Sequence, residues 1–186
     1  MKRTILIFAV LVSSFVISCK TNDNKDKSLA QNEPVVENVQ EDMLVGKISR
    51  LQLEKKPYKD WFIETYKAYN IDSTRLKEID SLLKDVKITT FMGTWCGDSQ
   101  REVPAFYKIM DQAEMNFENL SLIAVNRDKV TPLGLEKGKN ITNVPTFIFT
   151  KDDKEIGRIV EYPVESLEKD MLKILKGEPY KHSYAE

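Results

Sequence analysis

The apolar positions of this chain change period several times, and the changes mark its elements. After Asp85, the run VKITTFMG (86–93) is apolar and β-branched and ends on glycine, the pattern of a buried strand. From Ser99 to about Met115, the residues Val103, Phe106, Tyr107, Ile109, Met110 and Ala113 fall on one side of a helix. LSLIAV (120–125) predicts a second strand. TFIFT (146–150) and EIGRIVEY (155–162) predict two more, joined by a turn at Lys151-Asp152-Asp153-Lys154. Between Val164 and Lys176, Leu167, Met171, Leu172 and Leu175 stand at helical spacing. The order is β-α-β, a connection, then β-β-α, which predicts an α/β fold with a mixed central sheet flanked by helices.

Upstream, globular patterning starts near Met43. Leu51, Leu53, Trp61, Phe62, Tyr66 and Tyr69 are set among charges, and Pro57 predicts a helix start, where its missing N–H is tolerated. Asp72-Ser73, followed by Leu76, Ile79, Leu82 and Leu83, predicts a second helix. The aromatic residues read as packing between these helices and the sheet, with a partner-binding face as the alternative. Residues 43–83 are therefore expected to be a helical N-terminal extension packed on an α/β domain at 84–177, with a polar tail at 178–186.

The first residues follow a different logic. MKRTILIFAVLVSSFVISC has a basic start and an apolar run from Ile5 to Ile17, the layout of a secretory signal and short for a membrane span. Its ending, Val16-Ile17-Ser18-Cys19, resembles the lipobox of bacterial lipoproteins. That resemblance implies a signal peptide at 1–18, a lipid on Cys19, and attachment to the bacterial cell envelope after secretion across the inner membrane, with the outer membrane favoured. An ordinary signal peptide is the alternative. Residues 20–42 are polar without a sustained apolar period and read as a disordered tether; an edge strand at Pro34-Val35-Val36 is the other reading.

Composition changes this picture in one respect only. The formal net charge is -1, and Lys and Arg are interleaved with Asp and Glu, which argues against a nucleic-acid face. One histidine, His182 in the tail, and two cysteines are poor material for a metal site, so neither metal nor cofactor is predicted. The cysteine count matters more. If Cys19 carries lipid, Cys96 is the only free thiol, in a compartment where disulfides normally form.

Cys96 falls between a predicted strand and a predicted helix. Unpaired N–H groups and the positive end of the helix dipole favour a negative sulfur there, and the thiolate is the reactive form. Ser99, one turn on, is placed to point its hydroxyl at the same sulfur. Asp98 works against a negative sulfur and Arg101 offsets it. Gly97 reads as a backbone requirement and Trp95 as an exposed rim. Asn126-Arg127-Asp128-Lys129 reads as a solvated loop, with a substrate-side role for Arg127 as the alternative. Glu161 and Tyr162 end the last strand near the expected site.

The run TTFMGTWCGDSQREVPAF resembles the active-site segment of the thioredoxin superfamily. Pro104, eight residues after Cys96, stands where the family kinks its active-site helix. Val144-Pro145-Thr146 resembles the family loop whose proline is cis beside the cysteine, and the closing strand-turn-strand-helix with Gly157 has the family order. The resemblance covers residues 84–177 and implies a three-layer α/β/α thioredoxin-like fold. It implies Cys96 and Ser99 as catalytic residues and Trp95, Gly97, Asp98, Val144, Pro145 and Thr146 as substrate-binding, with the backbone of Val144 or Thr146 pairing an extended substrate.

Two departures point the same way. Ser99 replaces the second cysteine, and Thr90 stands where many members carry a buried Asp. A serine hydroxyl is too weak an acid to act in thiol exchange, so a general dithiol reductase is not expected. Two functions stay open. One is monothiol thiol–disulfide exchange of the oxidoreductase or isomerase type, with protein or small-molecule thiols and disulfides as partners. The other is a non-redox module that binds an extended peptide or a partner protein.

Overall fold

The computed structural model describes residues 43–185 and opens with a strand that the sequence pattern does not announce. β1 (Gly46–Ile48) is followed by α1 (Arg50–Leu53), α2 (Lys59–Ala68), α3 (Ser73–Leu83), β2 (Val86–Met92) and α4 (Gly97–Gln112). A 3-10 turn at Phe117–Asn119 leads into β3 (Leu120–Ala124), then β4 (Thr146–Lys151), β5 (Lys154–Val160) and α5 (Leu167–Lys176). Cys19, the polar stretch 20–42 and the signal-like stretch lie outside the described residues. No helix among the described residues is long and apolar enough to cross a membrane.

Local chemistry sets the boundaries. The Asp72 carboxylate accepts the Thr74 N–H at 3.2 Å and starts α3. The Ser166 hydroxyl accepts the Lys169 N–H at 3.2 Å and starts α5, which ends at Gly177 in the left-handed region. Asp152 and Asp153 both have positive φ, 51° and 57°, and make the two-residue turn whose twist suits the β4–β5 hairpin. α2 begins at Lys59 rather than at Pro57, with Tyr58 in the cap position, and the Lys56–Pro57 bond is cis.

The sheet order is β1-β3-β2-β4-β5, with β2 and β3 parallel and every other pair antiparallel. Residues 43–83 are thus not wholly helical. Their first three-residue strand forms an edge of the sheet, pairing Ile48 with Leu122 and Gly46 with Ala124. Three residues are too few for a period-2 pattern to register. Arg50 then ties this segment to α4. Its guanidinium holds both Asp111 carboxylate oxygens, at 2.8 and 2.7 Å, and lies within 6 Å of the Phe62, Tyr66 and Tyr107 rings.

Strand alternation separates the two faces of the sheet. Ile88, Met92, Leu122, Phe147 and Phe149 point into the larger core, which the helices cover; Phe106 of α4 stacks on Phe147 at 4.4 Å. Gly157 belongs here, since a Cβ on it would come within 2.8 Å of Ile174 of α5. Phe91, Ile123, Val125 and Ile148 point the other way into a smaller cluster. That second layer is made by the irregular 126–145 connection, through Leu135, Ile141 and Val144, and by Trp95 and Cys96. The flanking is asymmetric: helices on one face, non-helical chain on the other.

Candidate active site

Cys96 is the N-cap of α4, half-buried, with extended backbone (φ -96°, ψ 125°). Its carbonyl accepts the Gln100 N–H at 3.0 Å, which sets the first helical turn. The leading amides of that turn have no intrahelical acceptor and stand at the positive end of a 16-residue helix. Before the cap, the Cys96 N–H returns to the Gly93 carbonyl at 3.0 Å, and the Gln100 side-chain amide donates to the Thr94 carbonyl at 2.8 Å. The Thr94 hydroxyl accepts the Leu44 N–H at 3.2 Å, so the segment leading into β1 helps hold the loop.

The thiol donates to the Val144 carbonyl at 3.2 Å. The Ser99 hydroxyl makes no hydrogen bond to the sulfur at which its spacing lets it point. It is fully buried, and its hydroxyl accepts the Gly93 N–H at 3.1 Å. The buried amide of the loop needs an acceptor, and the serine supplies it. The fourth position of the motif is therefore a brace for the loop that carries Cys96.

Trp95 is half-buried rather than a free rim. Its Nε1 donates to the Val125 carbonyl at 2.9 Å, and its ring lies against Gly93, where a Cβ would come within 2.6 Å of the indole. The guanidinium of the exposed Arg127 sits 5.2 Å from the ring centroid. Gly97 has no left-handed backbone, and a Cβ there would meet nothing within 4 Å. Its backbone is therefore not one that demands glycine, and the residue is exposed. Asp98 pairs with Arg101 at 2.7 Å, and Arg101 also holds Glu102 at 2.7 Å. Burial pushes the Glu102 carboxyl above its ordinary range, against the pull of Arg101.

The Val144–Pro145 bond is cis, as the resemblance implies. Val144, Pro145 and Thr146 are all buried. Val144 packs in the smaller core, and Thr146 is paired with Phe91 on one side and Val160 on the other. The Thr146 backbone is thus committed to the sheet. The Pro145 carbonyl accepts the Glu161 N–H at 2.7 Å, and the Val144 carbonyl is taken by the thiol. Thr90 lies in β2, almost fully buried, with its hydroxyl unpartnered.

A family model described as Thioredoxin matches residues 49–174. The chain belongs to the thioredoxin family. The matched stretch reaches back through α1, α2 and α3, beyond the 84–177 that the motifs alone cover. Thioredoxin H2 of Arabidopsis thaliana is 26% identical over 121 residues, which is 65% of this chain and 84% of that protein. A thioredoxin-like protein of Acanthamoeba polyphaga mimivirus is 28% identical over 89 residues, 48% of this chain and 62% of its own length. Among solved structures, oxidised mitochondrial thioredoxin 3 of Saccharomyces cerevisiae aligns at 22% identity with a TM-score of 0.31, covering 52% of this chain and 86% of that one.

For this thioredoxin-family chain, the fold is a mixed five-stranded sheet with flanking helices, and membership supports a general thiol-redox role. The structure brings Trp95 and Cys96 together with Val144, while Asp98 turns to Arg101 and Ser99 to Gly93. Sequence reasoning missed two neighbours of the site. One is the stack of Arg127 on Trp95, for which an arginine directly after a strand was the only signal. The other is the C-terminal tail. Tyr180 donates to the buried Asp170 at 2.8 Å, and the Tyr184 hydroxyl donates to the carboxylate of Glu161, whose N–H holds Pro145. His182 lies in this tail, where its Nδ1 accepts the Tyr184 N–H at 3.2 Å. Among the described residues, no group of His, Cys, Asp and Glu is arranged to hold a metal ion.

Proposed function

We propose that this chain is a membrane-anchored, extracytoplasmic thioredoxin-like protein that carries out monothiol thiol–disulfide exchange through Cys96. One observation carries the reading: Cys96 is the free cysteine of the described residues, while the position of a resolving thiol is held by Ser99, buried and bonded to the Gly93 N–H. The Cys96 thiol gives up its proton to water, and the thiolate attacks one sulfur of a substrate disulfide. A new S–S bond forms to Cys96, the substrate S–S bond breaks, and the other substrate sulfur leaves as a thiolate. With no second thiol beside it, the mixed disulfide persists until an external thiolate attacks it. That release restores Cys96.

Two sequence features support the location. The basic, apolar leader ends in the lipobox-like Val16-Ile17-Ser18-Cys19, and the polar stretch 20–42 can serve as a spacer between an anchor and the domain. The alternative is a non-redox module that binds an extended peptide or a partner protein, and a Cys96 that forms no adduct on the folded chain would favour it.

The test is mass spectrometry of the detergent-solubilised Cys19→Ser chain after stoichiometric disulfide. A single adduct on Cys96, stable until an added thiol removes it, is the expected result. No adduct on the folded chain, with ready labelling in urea, would overturn the proposal. Radiolabelled fatty acid appearing in the wild-type chain, and not in Cys19→Ser, tests the anchor.

A further inference from the structure

Arg127 differs from the other arginines among the described residues. Arg50, Arg75, Arg101 and Arg158 each hold a carboxylate: Asp111 and Glu54, Asp72, Asp98 and Glu102, and Glu155. Arg127 holds none, although Asp128 follows it directly in the chain. Its guanidinium lies over the Trp95 ring instead, and its side chain is exposed.

Both supports of this stack are fixed. The indole is pinned by its bond to the Val125 carbonyl and by its seat on Gly93. The root of Arg127 is set by Asn126, whose side-chain oxygen accepts the N–H groups of Asp128 and Val130, each at 3.0 Å, while the Asn126 N–H returns to the Val130 carbonyl at 3.1 Å. A guanidinium held over an aromatic face by its charge spends no hydrogen-bond donor there, and a planar fork suits a carboxylate. A positive group with unused donors is thus held on the residue that precedes the nucleophile. Cys96 is half-buried, and Gly97, the next residue, is exposed.

We infer that Arg127, seated on Trp95, is a carboxylate-binding subsite of the Cys96 site, and that the preferred substrate is a disulfide carrying a carboxylate close to its sulfurs. This rests on the exchange chemistry proposed above and names its substrate class. The carboxylate stays intact during the reaction. It positions the disulfide while the Cys96 thiolate forms the new S–S bond and the distal substrate sulfur departs as a thiolate. A free small-molecule acid and an acidic residue beside a peptide cysteine supply the same group.

The test measures the rate of Cys96 labelling in the detergent-solubilised full chain with Cys19→Ser, using two aromatic disulfides. One is anionic, 5,5′-dithiobis(2-nitrobenzoate); the other is neutral, 2,2′-dithiodipyridine. Arg127→Gln is expected to slow the anionic probe about threefold to fivefold more than the neutral one, the size of an exposed ion pair. Raising salt should shrink the wild-type preference. An equal effect of Arg127→Gln on both probes overturns the subsite and leaves the exchange reading standing. If both probes label the folded wild type no faster than the urea-unfolded chain, the exchange reading fails, and the subsite with it. Two peptide disulfides, with Glu or Gln beside the cysteine, separate the sources. A faster Glu peptide that loses its advantage in Arg127→Gln adds peptides to the substrate class. Equal peptide rates, with the anionic probe still favoured, confine it to small acids.

Discussion

The Cys96 thiol donates to the carbonyl of Val144, and the next carbonyl along, that of Pro145, accepts the N–H of Glu161. Cys96 and the end of β5 are thereby joined through two consecutive peptide units. For the sulfur to attack a disulfide, its hydrogen bond to Val144 must open, while the Pro145–Glu161 bond keeps the loop in place.

Ser99 decides how long the adduct lasts. It stands three residues after Cys96, and side chains at that spacing in a first helical turn are neighbours. Ser99→Cys is expected to install a resolving thiol, so that the Cys96 adduct decays without added thiol and an internal disulfide appears by mass. Ser99→Ala removes the acceptor of the buried Gly93 N–H, and the unfolding free energy should fall by about 1–3 kcal/mol. Unchanged stability of Ser99→Ala would show that the brace is dispensable.

Gly93→Ala puts a methyl group within 2.6 Å of the Trp95 indole, with no room to spare. We expect a loss of about 1–3 kcal/mol in stability from overpacking, and a changed near-ultraviolet signal from the displaced ring. Because Arg127 rests on that ring, the preference for an anionic disulfide should weaken in the same variant.

Thr90 carries the opposite expectation. Its buried hydroxyl has no partner, so replacing it with a methyl of similar size removes an uncompensated polar group. Thr90→Val should raise the unfolding free energy by about 1 kcal/mol in denaturant titrations. A fall would show that the hydroxyl is satisfied in solution.

Glu102 gives the pH dependence. Burial raises its folded-state value above the ordinary 4.5, with Asp98 adding in the same direction and Arg101 opposing. The fold thus binds the proton more tightly than the unfolded chain does. The resulting stability is fully present below about pH 4.5 and is lost as pH rises through the folded value. Glu102→Gln cannot ionise, so its stability relative to wild type should improve as pH rises from about 4 to 7. A constant difference across that range would contradict the assignment.

The sequence showed most where side chains repeat and least where single contacts decide. β2, β4, β5 and α3 were legible because their apolar periods are long enough and because Asp72 and the Asp152-Asp153 pair announce a cap and a turn. β1 was not, since three residues hold no period and its partner lies far along the chain at Leu122 to Ala124. The cis bond at Pro145 followed from motif resemblance. The partner of Ser99, the seat of Trp95 and the burial of Val144, Pro145 and Thr146 did not, because each depends on which of several acceptors or faces lies nearest after folding. Gly97 was read as a conformational need, and its backbone is not left-handed.

The tail has a practical consequence. Tyr180 is held by buried Asp170, Ser183 donates to the Tyr162 carbonyl at 3.3 Å, and Tyr184 reaches Glu161, one hydrogen bond from Pro145. A purification tag or reporter appended at this end would therefore start at residues bonded to the Pro145 loop, and rates measured on such a fusion would describe the appendage as well as Cys96.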